Sequence, residues 1–493
     1  MLYKKAEKSH TEKEIETDYQ KGQVSDMAAE RQSRPFGLQD KLGYMFGDFG
    51  NDFTFILSSM FLMKFYTDVM GVSSGVVGIM MMVARFVDAF TDVTMGQIAD
   101  RSMTGPRGKF APWLLRMSGP VAVASFLMYA SWFRNMSLAF KIFWMFFTYI
   151  LWGSVFYTSV NIPYGSMASA ITAEPKERAE LSNWRTIGAS LAGASIGIIL
   201  PLVVYYTDEA GNKVLSGTRM ALAALFCSVA AVICYLLCYR MCIERVKVER
   251  KSGKFSLAQL LSGVFHNKPL IGIIISSMCL LIAQLSLQTM ATYIFPNYYR
   301  NVAAQSVSSL ATTVITLICA LFTVRLSQKL GRKNLGILVS IFSAVILIIA
   351  YFVRTDSAWT FVVFYGLASI GTGVYSLITW AMITDVIDDT EVQQGERSDG
   401  TIYSIYSFAR KLGQAASTGV VGLLLELIGY SQATAYDPGV LHGIYSITCL
   451  APAVGFILLA VSLQFLYPLG KERVEYNANK LAEKRAAAQK ERE

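Results

Sequence analysis

Twelve long apolar segments alternate with short polar connections along this chain. A membrane's hydrocarbon layer is about 30 Å thick, and a helix needs roughly 20 apolar residues to cross it. Each segment reaches that length, so the sequence predicts twelve membrane crossings. The segments lie near residues 41–66, 74–99, 111–133, 140–171, 183–206, 218–241, 268–295, 303–327, 334–353, 358–386, 400–429 and 440–467.

The composition excludes several other classes of protein. Of the 493 residues, 53% are hydrophobic and 16% are charged, whereas soluble domains have about 25% charged residues. A soluble enzyme and a disordered protein are therefore both excluded. The net charge of +9 comes from 44 basic and 35 acidic residues. Because the basic residues lie between the apolar segments, positive cytoplasmic loops explain them, and no nucleic-acid partner is expected.

The order of segments predicts an all-α membrane protein with twelve transmembrane helices in two six-helix bundles. Of the 44 Lys and Arg residues, 34 fall on one side of the predicted membrane, which places both termini in the cytoplasm. The last residues, 471–493, have no apolar face and are predicted to form a solvated tail. The predicted order is a cytoplasmic tail (1–38), the N-terminal bundle (39–243), a basic cytoplasmic linker (244–267), the C-terminal bundle (268–468) and a second cytoplasmic tail (469–493).

The seven cysteines all lie within apolar segments. Three of them, Cys234, Cys238 and Cys242, repeat every fourth residue and so share one helix face. Small residues that pack against a neighbouring helix explain this pattern better than a metal site. A disulfide framework is not expected, because the number is odd and the surroundings are apolar.

Ionisable residues inside predicted spans indicate function, because each costs roughly 2.5–3.5 kcal/mol at mid-membrane on insertion scales. In the second span, Arg85, Asp88 and Asp92 share one helix face. Two carboxylates beside one arginine leave excess negative charge, and oxygen ligands suit Na⁺ or a proton. The alternative is a structural Arg–Asp pair that holds two helices together.

Further polar groups interrupt the first, fourth and eleventh spans. Asp52 is either a ligand-binding carboxylate or a side chain that snorkels to the membrane surface. Residues 157–165 break an apolar run with a proline and several polar groups, as is typical beside a cavity. Lys411 is predicted to face a carboxylate across the bundle interface. Its neighbour Arg410 is predicted to point toward lipid headgroups or polar backbone.

These motifs resemble those of the glycoside–pentoside–hexuronide:cation symporters of the major facilitator superfamily. The resemblance runs over about residues 36–470. The asparagine at 161, Gly165 and Ser376 depart from the pattern of the melibiose-transporting branch, which argues against melibiose itself. The motifs are Phe65-Tyr66-Thr67-Asp68, Ala84-Arg85 through Asp88 and Asp92 to Gly96, Arg107-Gly108-Lys109-Phe110-Ala111-Pro112-Trp113, Asn161-Ile162-Pro163-Tyr164-Gly165-Ser166 and Asp385-Val386-Ile387-Asp388.

The resemblance implies a site and an activity. It implies a monomeric transporter in the cell (inner) membrane that couples uptake of a glycoside or small oligosaccharide to Na⁺ or H⁺. No cofactor or metal is implied beyond the coupling cation. The implied cation-binding residues are Asp88, Thr91, Asp92 and Thr158. The implied substrate-binding residues are Asp52, Asn161, Arg185, Lys411 and Trp380.

Three other functions remain open from the sequence. A cation-coupled lysolipid carrier of the same fold is the nearest alternative. A membrane-embedded enzyme is disfavoured, because the three histidines are scattered and form no catalytic set. A channel is disfavoured, because one clustered site differs from repeated pore-lining rings. The sequence does not distinguish Na⁺ from H⁺ and does not identify the sugar.

Overall fold

The computed structural model describes residues 34–246, 267–394 and 399–490, and nearly all of them are helical. Most of the predicted N-terminal tail and most of the predicted linker lie outside the described residues. The helices are α1 (Leu38–Asp68), α2 (Ser74–Arg101), α3 (Ala111–Leu127), α4 (Leu138–Ile171), α5 (Pro175–Val204), α6 (Gly217–Met241), α7 (Lys268–Tyr298), α8 (Val302–Leu330), α9 (Arg332–Val353), α10 (Ala358–Gln394), α11 (Asp399–Leu427), α12 (Pro438–Leu466) and α13 (Lys471–Lys490).

Within the described ranges, nine helices are long and apolar enough to cross a membrane. Three more helices of similar length, α1, α2 and α11, are not among the nine. These three carry most of the ionisable residues singled out in the sequence, including Asp52, Asp88 and Lys411, whereas Arg185 lies on α5. Large apolar side chains such as Phe226 and Phe465 are more than 70% exposed on the outer surface. Lipid contact accounts for an apolar surface of this kind, because water would not favour it.

The first six helices pack mainly on one another, and so do the next six. Close packing of α1 on α6 depends on small residues. Hypothetical Cβ atoms at Gly43 and Gly47 would lie 2.9 and 3.0 Å from the sulfur atoms of Cys242 and Cys238. One at Gly50 would lie 3.1 Å from the Cβ of Cys234. The evenly spaced cysteines therefore act as packing residues, as the sequence predicts.

Two further helix pairs, α2 with α11 and α5 with α8, join the bundles to each other. Gly78 and Gly422 allow α2 and α11 to approach closely, since a Cβ at Gly78 would lie 3.1 Å from the carbonyl oxygen of Thr418. We call the end at which α1 finishes and α2 begins the far end, and the opposite end the near end. Contacts between α2 and α11 extend from the far end, at Gly75 and Glu426, to the middle of both helices, at Phe90 and Phe408.

A buried polar cluster closes the far end, and we call it the far-end cluster (Lys64, Asp68, Asn297 and Tyr430). The Nζ atom of Lys64 lies 2.8 Å from the Asp68 carboxylate and donates at 2.6 Å to both Asn297 and Tyr430. The Tyr430 hydroxyl in turn donates to Asp68 at 2.8 Å. Lys64 and Asp68 belong to α1, whereas Asn297 and Tyr430 belong to the second bundle. The cluster therefore ties the two bundles together.

Two elements differ from the sequence predictions. A short hairpin pairs Tyr205–Thr207 with Lys213–Leu215 after α5. The chain after α12 forms the helix α13, and its described part is not simply solvated. Leu481 is 3% exposed, and Arg473 on α13 lies 3.1 Å from Asp389 of α10. The prediction of a tail without an apolar face was wrong here, because Val474 and Leu481, seven residues apart, share one face of the helix.

Candidate functional site

The predicted acidic pair on α2 lies against α4. Asp88 is 3% exposed and accepts a hydrogen bond of 2.5 Å from the Ser154 hydroxyl. Asp92, one turn further along α2, accepts a bond of 2.8 Å from the Thr158 hydroxyl. Because Ser154 and Thr158 are four residues apart, they present two hydroxyls on one face of α4 to two carboxylates on one face of α2. This cluster places three of the four predicted cation-binding residues together.

The backbone of α4 is irregular at this cluster. A π-helical segment runs over Leu151–Tyr157, and the Thr158 hydroxyl also donates to the carbonyl oxygen of Gly153 at 3.0 Å. Segments of this kind occur often at functional sites, because the wider turn leaves backbone groups available. A Cβ at Gly153 would lie 3.3 Å from a carboxylate oxygen of Asp88. Glycine therefore leaves room for Asp88 against the α4 backbone.

The remaining members of the α2 set differ in their contacts. The Arg85 guanidinium lies 3.8 Å from Asp88 and 4.6 Å from the ring centre of Phe55. It neutralises one carboxylate, as the structural alternative requires, while Asp92 keeps other partners. The Thr91 hydroxyl donates to the backbone carbonyl of Asp88 at 3.1 Å, within its own helix. This bond uses the hydroxyl hydrogen and leaves the lone pairs of the Thr91 oxygen free to accept.

Lys411 joins this cluster from the second bundle. Its ammonium group forms an ion pair with Asp92 and donates to the backbone carbonyl of Asp88 at 3.4 Å. Both charged side chains are mostly covered, with 21% of Lys411 and 16% of Asp92 exposed. Lys411 was predicted to face a carboxylate across the bundle interface, and the structure shows this arrangement. The cation that occupies Asp92 here is thus a protein side chain.

A second charged pair lies at the predicted substrate site. The Arg185 Nε atom on α5 lies 2.9 Å from Asp48 on α1, and its guanidinium lies 5.4 Å from the ring centre of Tyr164. Asp48 is 6% exposed, so it does not snorkel to the surface. Arg185 keeps 42% of its side chain exposed. The arginine is therefore anchored on one side and accessible on the other.

Asn51 fixes the orientation of Asn161. Its amide nitrogen donates to the Asn161 side-chain oxygen at 3.4 Å, while its own oxygen accepts a bond of 2.9 Å from the Tyr235 hydroxyl. The amide nitrogen of Asn161 is then the group left to contact a ligand. Asp52 follows Asn51 on α1 and is partly buried. No hydrogen bond or ion pair to Asp52 occurs among the described residues.

Trp380, on α10, contacts two side chains of α11. Its ring centre lies 5.6 Å from the guanidinium of Arg410, and the ring of Tyr406 lies 5.9 Å from the same group. The aromatic faces attract this cation through their negative quadrupole. The prediction that Arg410 points toward lipid headgroups or polar backbone stays a prediction.

The sequence did not single out Ser154, Asn51 or the partner of Arg185. A signal for Ser154 exists, since it precedes Thr158 by one turn in a polar break of an apolar helix. Asn51 and Asp48 stand in the glycine-rich segment of α1, yet only the fold shows which helices they meet. Within the described residues, no three His, Cys, Asp or Glu side chains cluster as a metal site would require. The α2–α4 cluster offers carboxylate, hydroxyl and carbonyl oxygens, which suit a hard monovalent cation.

Comparisons with known proteins show the family of this chain. The model of the family described as MFS/sugar transport protein matches residues 43–471. An uncharacterized symporter, YjmB, of Bacillus subtilis is 31% identical over 88% of this chain and 92% of its own length. A glucuronide carrier protein homolog of Escherichia coli is 31% identical over 87% of this chain and 92% of its own length.

The fold also resembles solved structures. A bacterial homolog of the human lysosomal transporter Spinster, in an inward-facing and occupied conformation, has a TM-score of 0.61. The match covers 88% of this chain and 97% of that chain at 10% identity, so it concerns the fold alone. The chain has the transporter fold of the major facilitator superfamily and is not an enzyme. It belongs to the MFS/sugar transport protein family, the glycoside–pentoside–hexuronide symporters of that superfamily.

Proposed function

We propose that this protein is a secondary transporter that moves a glycoside or small oligosaccharide into the cell together with Na⁺ or H⁺. All twelve long helices, α1 to α12, would cross the cell membrane, with both termini in the cytoplasm. The near end then faces the cytoplasm. The names of two relatives, a symporter and a glucuronide carrier homolog, support a coupled transporter of sugars.

The observation that carries the proposal is the ion pair between Lys411 of the second bundle and Asp92 of the first. Asp92 and Asp88 are the predicted cation ligands, so the coupling cation and Lys411 compete for one carboxylate. Cation binding at this pair releases Lys411 toward the substrate. Because the two bundles share the site, their relative position depends on which cation occupies it.

Substrate recognition falls to the groups on α1, α4 and α5. The amide nitrogen of Asn161 donates to a hydroxyl, and the Asp52 carboxylate accepts from one. Arg185 contributes further donors from its exposed side. In symporters of this type, the site lies between the bundles and opens to each side in turn. The far-end cluster keeps that end closed in the present conformation.

Alternating access couples the two binding events. If the cation raises the affinity for the substrate, the substrate must raise the affinity for the cation by the same factor. Asp88, Asp92 and Lys411 together provide this coupling. When the cation is bound, it neutralises the two carboxylates, and when the site is empty, Lys411 does so. In both cases no unpaired buried charge has to move with the bundles, which would be costly.

Uptake into proteoliposomes tests this function. The purified protein is reconstituted, and a panel of radiolabelled glycosides is offered with an inward Na⁺ gradient, an inward proton gradient or neither. We expect one gradient to drive accumulation of at least one glycoside. The double variant Asp88→Asn/Asp92→Asn is the matched control and should show no accumulation. Glycoside entry at the same rate with and without either gradient would contradict coupling. Transfer of a lysolipid instead of a glycoside would support the alternative carrier.

A further inference from the structure

Three polar side chains of the first bundle form a continuous series of hydrogen bonds. The Tyr235 hydroxyl on α6 donates to the side-chain oxygen of Asn51 on α1 at 2.9 Å. The Asn51 amide nitrogen donates at 3.4 Å to the side-chain oxygen of Asn161 on α4. We call this series the relay (Tyr235, Asn51 and Asn161). Its last member is a predicted substrate-binding residue, whereas the sequence did not single out the other two.

The relay is accessible at one end. Tyr235 is fully buried and Asn51 is 1% exposed, whereas Asn161 is partly exposed. Gly50 lets the tyrosine ring lie against α1, because a Cβ there would be 3.2 Å from the Cε1 atom of Tyr235. Within the described residues, the amide nitrogen of Asn161 has no hydrogen-bond partner. A ligand can therefore reach the relay through Asn161 and not through Tyr235.

The buried tyrosine gives the relay a direction. A phenol has one hydrogen to donate, whereas a side-chain amide has an oxygen that accepts and a nitrogen that donates. Asn51 is the one side chain of the described residues that accepts from the Tyr235 hydroxyl. If the Asn51 amide were turned round, the phenol hydrogen would be buried without an acceptor, which is costly. Tyr235 therefore holds the Asn51 oxygen toward α6 and the Asn51 nitrogen toward Asn161.

The same direction extends to the ligand. The Asn161 oxygen is occupied by Asn51, so the Asn161 nitrogen is the group that remains for a ligand. A nitrogen that donates selects a ligand atom that accepts. Asp52, the next residue after Asn51, offers acceptor oxygens when it is charged and selects a hydroxyl that donates. The first bundle can therefore distinguish a sugar hydroxyl that accepts from one that donates.

We propose that Tyr235 is a specificity-determining residue that acts through Asn51 and Asn161 without touching the substrate. The inference rests on the proposed function and adds the polarity of one substrate contact. The hydroxyl bound by Asn161 serves as an acceptor. Fluorine in its place keeps an acceptor, although a weak one, and hydrogen in its place does not. Tyr235 is thus a positioning residue, and its effect is on which analogue binds better.

Fluorinated and deoxygenated glycosides test the proposal. Equilibrium binding of methyl glucoside, methyl galactoside and methyl xyloside to the purified protein is measured first. The tightest binder is then compared with its deoxy and deoxyfluoro derivatives at each ring position. In the wild type, we expect one position at which the deoxyfluoro derivative binds roughly threefold or more tightly than the deoxy derivative, within the range for a neutral hydrogen bond. At the hydroxyl that donates to Asp52, the two derivatives should bind equally.

Two variants change the polarity of the relay in different ways. Tyr235→Phe removes the donor, so the amides of Asn51 and Asn161 can turn round, and the preference for the deoxyfluoro derivative should disappear. Asn51→Asp offers acceptor oxygens alone, so Asn161 should turn its nitrogen toward α1 and its oxygen toward the ligand. The preference should be lost in this variant also, while the parent glycoside still binds by donating. Tyr239→Phe, one turn further along α6, is the matched control and should keep the wild-type preference.

Each outcome bears on a different claim. Loss of the preference in Tyr235→Phe but not in Tyr239→Phe would support the relay. Equal weakening of all derivatives in Tyr235→Phe, with the wild-type preference kept, would reveal a structural role alone and overturn the proposal. A wild type without the preference at any ring position would also overturn it. Thermal midpoints of all variants are compared, so that a loss of folding is recognised.

The proposed function fails on different observations. Glycoside uptake that does not depend on a cation gradient would contradict the coupling, while the binding preferences would still decide the role of Tyr235. Failure of all three methyl glycosides to bind would count against a glycoside transporter and thereby against a role of the relay in selecting the glycoside.

Discussion

Asp48 and Asp52 lie one turn apart on α1, yet they have different partners. Asp48 is bound by Arg185 at 2.9 Å, whereas Asp52 has no ion pair among the described residues. A carboxylate that is already paired orients its arginine, and one that is unpaired can accept hydrogen bonds from a ligand. The difference assigns a structural task to Asp48 and a binding task to Asp52.

Asp52→Asn tests this assignment. The amide accepts a hydrogen bond without the charge, so affinity for the transported glycoside should fall roughly tenfold, as expected for the loss of a charge-assisted bond. Equilibrium binding of the glycoside to purified protein measures the effect. Glu209→Gln, in the exposed loop of the hairpin, is the matched control. Unchanged affinity in Asp52→Asn would contradict a binding role and would favour the alternative that Asp52 snorkels to the membrane surface.

Lys411 is the residue at which the two bundles share a charge. Lys411→Ala leaves Asp92 without its ion-pair partner whenever no cation is bound, so accumulation of substrate should fall by roughly tenfold or more. Lys411→Arg keeps the charge and should retain more activity. Gradient-driven uptake reports coupling, whereas exchange of substrate across the membrane needs only binding and movement, so both are measured. Wild-type accumulation in Lys411→Ala would refute the shared-charge role.

At the scale of helices, glycine and cysteine residues decide how α1 meets α6. The sequence indicated that Cys234, Cys238 and Cys242 share a face, because their spacing is local. It did not indicate that Gly43, Gly47 and Gly50 oppose them, because that contact joins segments nearly 200 residues apart. For the same reason, the sequence indicated which charged residues matter but only partly indicated which residues they pair with.

Gly50→Val tests this packing. The Cβ position at Gly50 lies 3.1 Å from the carbonyl oxygen of Ala231, so a branched side chain must displace α1 or α6. Overpacking of this kind costs about 1–3 kcal/mol, and thermal unfolding in detergent should show a lowered midpoint. Gly119→Ala is the control, because a Cβ there meets nothing within 4 Å. Equal midpoints for Gly50→Val and the wild type would argue against the close contact.

At the scale of the whole molecule, the far-end cluster joins α1 of the first bundle to α7 and to the loop after α11 in the second. The sequence predicted two bundles and proposed residues for a cation site and a substrate site, and those site roles stay predictions. It could not predict which end is closed, since closure depends on Lys64 and Tyr430 meeting across more than 360 residues.

Tyr430→Phe tests the closure. The variant loses the hydrogen bonds to Lys64 and Asp68, so the far end should open more often. Spin labels at positions 209 and 431, in a background without the native cysteines, report the distance between the bundles. We expect a larger population at long distances. The control Tyr206→Phe removes an exposed hydroxyl of the hairpin, and equal distributions for both variants would contradict a locking role.

Substrate-driven cation entry tests the central claim most directly. Proteoliposomes without a cation gradient receive an excess of the transported glycoside outside, and entry of Na⁺ or protons is recorded. Because coupling is reciprocal, substrate should draw the cation inward in the wild type. In Asp92→Asn, substrate exchange should persist while cation entry stops. Substrate entry without cation entry in the wild type, or unchanged cation entry in Asp92→Asn, would contradict a symporter that binds its cation at Asp88 and Asp92.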